Sequence, residues 1–192
     1  MSKISLEPNA SGAGTFTLAA PNSNTNRTLT LPDASGNIIA ADASTGQFDS
    51  SNMPAGSVIQ VVQGTDDSQL STTSNKTYVS TPLEATITPS NSSNEVLASV
   101  LFTGDTTQAS DGRISVTLFR NGVNVTNDQF GLAYNHVVNT DNLITLNVGI
   151  LDAPNSTLPI TYKLYFFSGN GEQVRIRGDL VSSKLTLMEI AG

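Results

Sequence analysis

The sequence predicts an all-β fold: an antiparallel β-sandwich, jelly-roll-like, with a short β-rich N-terminal arm. No window of 11 or more residues convincingly holds the i, i+3, i+4, i+7 apolar spacing of an amphipathic helix. Apolar and polar residues instead alternate along most of the chain, which is the pattern of half-buried strands. Turn-forming residues separate these segments at intervals of roughly 8–15 residues without crossover helices, and this favours antiparallel pairing.

Residues 1–40 carry short β signals and form the predicted arm. Phe16 and Leu18 share one face of a short segment, and Leu29 and Leu31 share a face of the next, which stops at Pro32. Such short, sparsely apolar strands are marginal alone. We therefore expect the arm to pack against another copy of itself or a partner surface.

Residues 41–56 are small, polar and turn-forming, and they predict a linker that ends near Pro54 and Gly56. Residues 57–192 predict the β-sandwich domain. The candidate strands are 57–63, 77–80, 83–89, 95–103, 113–120, 128–139, 143–151, 160–168, 172–178 and 184–190. Between "TLFR" and "VNV", Asn121-Gly122 predicts the type I′ turn of a tight hairpin.

The final segment, 184–190, alternates through Leu185, Leu187 and Ile190 and stops two residues before the last residue. We expect it to be an interior strand inserted between earlier strands. The predicted core consists of the apolar residues of these strands: Val58, Ile59, Val61, Val79, Ile87, Val96, Leu97, Val100, Leu101, Phe102, Ile114, Val116, Leu118, Phe130, Leu132, Ile144, Leu146, Ile150, Ile160, Tyr162, Leu164, Phe166, Val174, Ile176, Leu185, Leu187 and Ile190.

The composition argues against several classes of function. Charged residues make up 13% of the chain, against about 25% on average, and the net charge is −7 with no basic run, which argues against nucleic-acid binding. Arg175 and Arg177 are interpreted as part of a solvated strand face. The chain has no cysteine, which excludes disulfides and thiolate sites. No stretch approaches the ~20 apolar residues of a membrane helix, and the start of the chain does not read as a signal peptide, so no membrane insertion is expected.

The residues capable of catalysis do not form a motif. The single histidine, His136, has no G-x-S-x-G elbow to serve and is predicted to be a strand residue facing solvent or a subunit neighbour. Asp66-Asp67 and the Asp105 and Asp111 pair lack the fixed arrangement that a glycosidase needs. The 105–112 segment lacks the ligand pattern of a calcium loop, and "GNGEQV" lacks the third glycine of a nucleotide fingerprint. We therefore predict no catalytic, cofactor-binding or metal residues, and a structural or binding module rather than an enzyme.

Three stretches carry a resemblance to known proteins. "SGAGTFTLAAPNSNTNRTLTLPDASGNI" resembles the short β segment of bacteriophage tail-fibre and tail-fibre-like proteins. "MPAGSVIQVVQGT", continuing through "TYVSTPLEATITP", is similar to the C-terminal domain of marine and cyanobacterial phage fibre proteins, as is the ending "LTLMEIAG". The resemblance covers most of the chain, and residues 104–180 are more divergent. It implies a virion-surface protein, usually a homotrimer, whose 1–40 arm serves virion attachment or trimer packing. It brings no catalytic residues to carry over.

The chain is short for a tail fibre and begins almost at once with the β segment. We therefore expect a self-associating capsid decoration or cement protein, or a short fibre, that contacts the major capsid protein or a tail component. It would be assembled in the host cytoplasm and later displayed on the extracellular virion. The alternatives are a tail-fibre adhesin that binds a host surface glycan and a glycan-degrading depolymerase.

Overall fold

The computed structural model describes residues 11–14, 24–26, 28, 53–107, 112–126, 128–137 and 143–192. The chain divides into two units, Met1–Asn37 and Ile38–Gly192, and the sandwich belongs to the second. Most of the predicted arm and linker lies outside the described residues, so the boundaries at 40 and 56 stay predictions.

The described residues form eleven strands. They are β1 Val58–Asp66, β2 Gln69–Thr72, β3 Val79–Ile87, β4 Glu95–Thr106, β5 Gly112–Arg120, β6 Val123–Asn124, β7 Ala133–Val137, β8 Ile144–Asp152, β9 Ile160–Ser168, β10 Val174–Arg177 and β11 Ser183–Ile190. All pairings between these strands are antiparallel. No helix occurs in this part of the chain, and the prediction of an all-β antiparallel sandwich is confirmed.

One sheet has six strands arranged in four rows. β1 and β2 follow one another along the first row, β11 and β10 along the second, β4 forms the third and β8 the fourth. β11 lies between β1 and β4, so the prediction that the C-terminal strand is interior is confirmed. β8 pairs along its whole length with β4, and no described strand pairs with its other side.

The second sheet has five strands. β3 forms one edge, β9 and β5 follow, and β6 and β7 pair with successive parts of the far side of β5. β5 and β6 are joined by the predicted hairpin turn, in which Asn121 and Gly122 have φ values of +48° and +83°. Positive φ at both central residues is the signature of the type I′ turn, which is confirmed.

The core lies between the two sheets and draws on alternate residues of each strand. Its fully or almost fully buried large side chains are Leu83, Ile87, Phe102, Ile114, Leu118, Tyr162, Leu164, Phe166, Phe167, Ile176, Leu185 and Leu187. Leu97 and Leu101, predicted to be core residues, are only half-buried, because their neighbours Val96 and Val100 take the inward positions of β4.

The prediction that Val58 and Val61 belong to the core is wrong, since they are 50% and 57% exposed. The pairing of β1 with β11 shifts between Val58 and Gln60, and this irregularity changes the alternation of the strand. Val62 packs against the core instead.

Several strand boundaries differ from the prediction. The segments 77–80 and 83–89 contribute to a single strand, β3, whose register shifts between Ser80 and Glu84. The predicted strand 128–139 is reduced to β7, because residues 128–132 form turns with Gly131 at φ +69°. The short strand β2 was not predicted, whereas β6 lies within the "VNV" segment expected to follow the hairpin turn.

Candidate interaction surface

The two ends of the sandwich differ in which parts of the chain they contain. Gly56 N–H donates to the Ala191 carbonyl at 2.8 Å, and Ala191 N–H donates to the Ser57 carbonyl at 2.9 Å. The start of the sandwich and the end of the chain therefore lie together, at an end that we call the base. The connections that follow Thr72, Thr106 and Ser168 lie at the opposite end, the tip.

A buried carboxylate organises the base. Glu189 is 0% exposed and accepts hydrogen bonds from Gln60 Nε2 (2.5 Å), Asn94 Nδ2 (2.6 Å), and the N–H and Oγ of Ser90 (both 2.7 Å). Burial alone would raise the pKa of Glu189, but these hydrogen bonds outweigh burial and hold its pKa below the ordinary value. Asn94 Oδ1 also accepts from the Gly192 N–H at 3.2 Å, so the cluster fastens the end of the chain.

The sandwich is closed along the edge formed by β1 and β3. Gly64 of β1 lies so near the backbone carbonyl of Glu84 in β3 that a Cβ atom at Gly64 would overlap it. The two sheets meet directly here, which leaves no opening between them.

Among the described residues, the opposite edge, between β8 and the β6–β7 side of the other sheet, is open. The inward residues of β4, including Val100 and Phe102, are 0% exposed, whereas the inward apolar residues of β8 next to them are only half-buried. The facing apolar residues of the 125–133 segment are half-buried too. We call this surface the open edge; its apolar members are Val125, Leu132, Ala133, Ile144, Leu146, Val148 and Ile150.

Large exposed apolar side chains concentrate around the same edge. Val123 (67%), Tyr134 (39%), Leu143 (47%), Leu151 (51%) and Leu158 (70%) belong to β6, β7, β8 or the residues next to β8 and β9. The other large exposed apolar side chains of the described residues lie on β1 and in the connection before β11: Val58, Val61, Leu180 and Val181.

One ion pair joins the two sheets at the base end of the open edge. Arg120 Nη1 donates to both carboxylate oxygens of Asp152, at 2.9 Å and 2.8 Å. The buried Tyr162 hydroxyl donates to Asp152 Oδ2 at 2.5 Å. Burial is the main cause that raises the pKa of Tyr162, and the hydrogen bond to the Asp152 carboxylate raises it further. The hydroxyl therefore stays protonated, and a donor, at neutral pH.

Two acidic residues considered in the sequence analysis, Asp66 and Asp105, form contacts that hold neighbouring parts of the fold together. Asp105, whose side chain is 2% exposed, accepts from Arg175 Nε and Nη2 at 2.7 Å and 2.6 Å, and from Arg177 Nη1 at 2.8 Å. Asp66 accepts from the N–H and Oγ of Ser68 at 3.1 Å and 2.7 Å, which closes a turn.

Arg175 and Arg177 therefore share one face, as predicted, but they form ion pairs rather than a merely solvated surface. Arg177 also pairs with Asp179 at 2.9 Å. His136 is exposed on β7, opposite Arg113, and Asp111 lies outside the described residues. Among the described residues, no group of three or more histidine or acidic side chains could hold a metal ion.

An aromatic cluster covers part of the five-stranded sheet. The rings of Phe119 and Tyr165 stack at 3.9 Å, and both side chains are half-buried. Tyr78 meets Phe119 and Phe167 edge-on at 5.8 Å and 4.7 Å. One side of this stacked pair, the half-buried Tyr165 ring, lies at the surface of the sheet. No helix in the described residues is long and apolar enough to span a membrane.

No protein-family model matches the chain, and no curated protein does either. Several solved structures are similar to it. The C-terminal domain of EclA, a sugar-binding protein, is 12% identical with a TM-score of 0.33, over 57% of this chain and 74% of that one. The tripod from the baseplate of bacteriophage Tuc2009 is 12% identical with a TM-score of 0.34, over 89% and 82%.

A chain of the T13 particle of IBDV is 18% identical with a TM-score of 0.44. That match covers 81% of this chain but only 40% of the viral one, so this chain spans about two fifths of its length. These similarities are too distant to assign a function.

Proposed function

We propose that this chain is a non-enzymatic structural protein of a bacteriophage virion. In this proposal it associates with copies of itself, as a homotrimer, on the particle surface. There it acts as a capsid decoration or cement protein, or as a short fibre. The resemblance of its sequence motifs supports the virion, and the open edge of the sandwich supports self-association. The open edge is the observation that carries the proposal. Its apolar residues are only half-buried, and covering them with another surface lowers the free energy.

The base of the sandwich supports a polarity for the particle-bound protein. Residues 54–57 enter the sandwich at the base, beside Ala191. We place the particle contact at this end of the sandwich, so that the tip faces outward. A polar surface of low charge density suits such display, since few of its contacts depend on unscreened ion pairs.

The test is the copy number of the chain in purified particles, measured by quantitative mass spectrometry against the major capsid protein. A decoration or cement protein is expected in hundreds of copies, and a short fibre in a few dozen or fewer. Absence of the chain from gradient-purified particles would contradict a virion role.

A second candidate is a host-glycan-binding adhesin, which the half-exposed Tyr165 ring favours, because sugars stack on aromatic faces. Fluorescently labelled full-length protein on a glycan array would give a signal that Tyr165→Ala abolishes. Tyr134→Ala, which removes an exposed ring from β7, is the matched control and should keep the signal. Silence of the wild-type protein on such an array would favour the decoration role.

A further inference from the structure

We propose that the open edge, with β8 at its centre, is the surface through which copies of this chain bind one another. This inference rests on the self-association that is part of the proposed function, and it names the surface and its occupant. Three independent features of the edge carry it: the lack of edge protection, the lack of charge, and the apolar area.

β8 lacks the devices that protect edge strands. A regular, unprotected edge is a template for pairing with another chain, and proteins blunt such edges with proline, charges and bulges. The edge strand β3 carries Pro82, the ion-paired Glu84 and a register shift. β8 has nine residues, no proline or lysine, and an unbroken register against β4. The side of β8 that does not pair with β4 is therefore suited to contact another chain.

The low charge of the edge favours a second copy of the chain as its binding partner. The chain carries a net charge of −7, so two copies repel each other through any acidic face. Residues 143–151 contain no charged side chain, and the next residue, Asp152, is paired with Arg120. The closed edge, in contrast, carries Asp66, Asp67 and Glu84. Asp128 is the one charged residue of the facing 125–133 segment. Around a threefold axis, the same apolar and nearly uncharged edge of each copy meets the others with little repulsion, and it offers little to a charged partner.

The size of the edge indicates how far the contact extends. A nine-residue strand spans about 30 Å, and packed sheets lie about 10 Å apart, so the opening itself offers roughly 300 Å² per copy. A stable interface uses about 800 Å² per partner. The exposed Val123 and Leu158 side chains next to the opening extend it in the direction of the base. Leu151 adds apolar area on the outer face of β8, and we include all three side chains in the contact.

The first test changes one exposed residue on β8 in the full-length chain. Leu151→Glu places a negative charge at a position that is 51% exposed, so the fold tolerates it. Val61→Glu makes the same kind of change at a 57% exposed position on β1, at the opposite edge of the same sheet. In sedimentation equilibrium, Leu151→Glu should weaken association at least tenfold, whereas Val61→Glu should associate as the wild type does. Equal association of Leu151→Glu and the wild type, with the same circular dichroism, would overturn the inference.

The second test uses the absence of cysteine from the chain. The thiol of Leu151→Cys should react with a maleimide about tenfold more slowly than that of Val61→Cys in assembled protein, and equally fast after dilution to single chains. Protection that persists on dilution would mean that a segment of the same chain covers β8, and would overturn the inference. Equal rates in assembled protein would overturn it as well. The virion role is tested separately, since the content of purified particles does not depend on which surface joins the copies.

Discussion

At the scale of single residues, Glu189 shows how a buried charge is tolerated without a basic partner. Its carboxylate replaces lost water with hydrogen bonds from three side chains and one backbone N–H. These donors come from β1, from the connection before β4, and from the residue preceding β4. The ionised carboxylate is thus the hub that holds the base of the sandwich together.

We expect Glu189→Gln to lower the free energy of unfolding at pH 7 by about 1–3 kcal/mol, because an amide leaves buried donors without acceptors. The pKa of Glu189 is lower in the folded state than in the unfolded chain. Its stabilisation is therefore complete above the ordinary glutamate pKa of about 4.3 and is lost as the pH falls towards the folded pKa.

Urea unfolding of both proteins at pH 7 and at pH 3.5 measures this effect. The difference in stability between wild type and Glu189→Gln should shrink at the lower pH. A difference that stays constant or grows would show that the ionised carboxylate does not stabilise the base.

At the scale of elements, the two edges of the sandwich differ in how the sheets approach each other. At the closed edge, Gly64 permits backbone contact between β1 and β3, since any side chain there would overlap the Glu84 carbonyl. At the open edge, β8 and the 125–133 segment keep their apolar residues half-exposed. Within the described residues, this asymmetry leaves the β8 side of the sandwich available for contact.

Gly64→Ala should destabilise the sandwich by about 2–3 kcal/mol, because the added methyl group must push the two sheets apart. Thr65→Ala, at the next and exposed position of β1, is the control and should change stability by no more than about 0.5 kcal/mol. Thermal or urea unfolding measures both. Equal stability of the two variants would mean that β1 and β3 are not in close contact.

Much of this element structure is predictable from the sequence, because alternation and turn residues act locally. The hairpin at Asn121-Gly122 follows from such signals. The interior position of β11 was expected on a different ground, because sandwich folds often insert the C-terminal strand between earlier strands. The exposure of Val58 and Val61 does not, because it depends on a register shift against a strand about 130 residues away.

The sequence does not predict the open edge either. Leu146 and Val148 alternate as well as any core residues, and only the arrangement of the sheets shows that nothing in the described chain covers them fully. The contact of Asp105 with Arg175 and Arg177 likewise depends on which strands become neighbours. Local patterns predict which residues are candidates for the core, but the topology of the sheets decides which of them are buried.

At the scale of the whole molecule, the described residues present a sandwich that is closed at one edge, joined to the preceding residues at its base, and open along β8. The features that distinguish this surface are shape, neutrality and unpaired backbone rather than a group poised for chemistry. Such a surface is suited to the self-association that we propose.

The mass of the wild-type full-length chain in solution tests this account most directly. Sedimentation equilibrium over a range of micromolar concentrations should give about 60 kDa, three times the 20.1 kDa of one chain. A mass of one chain at every concentration would contradict self-association through the open edge.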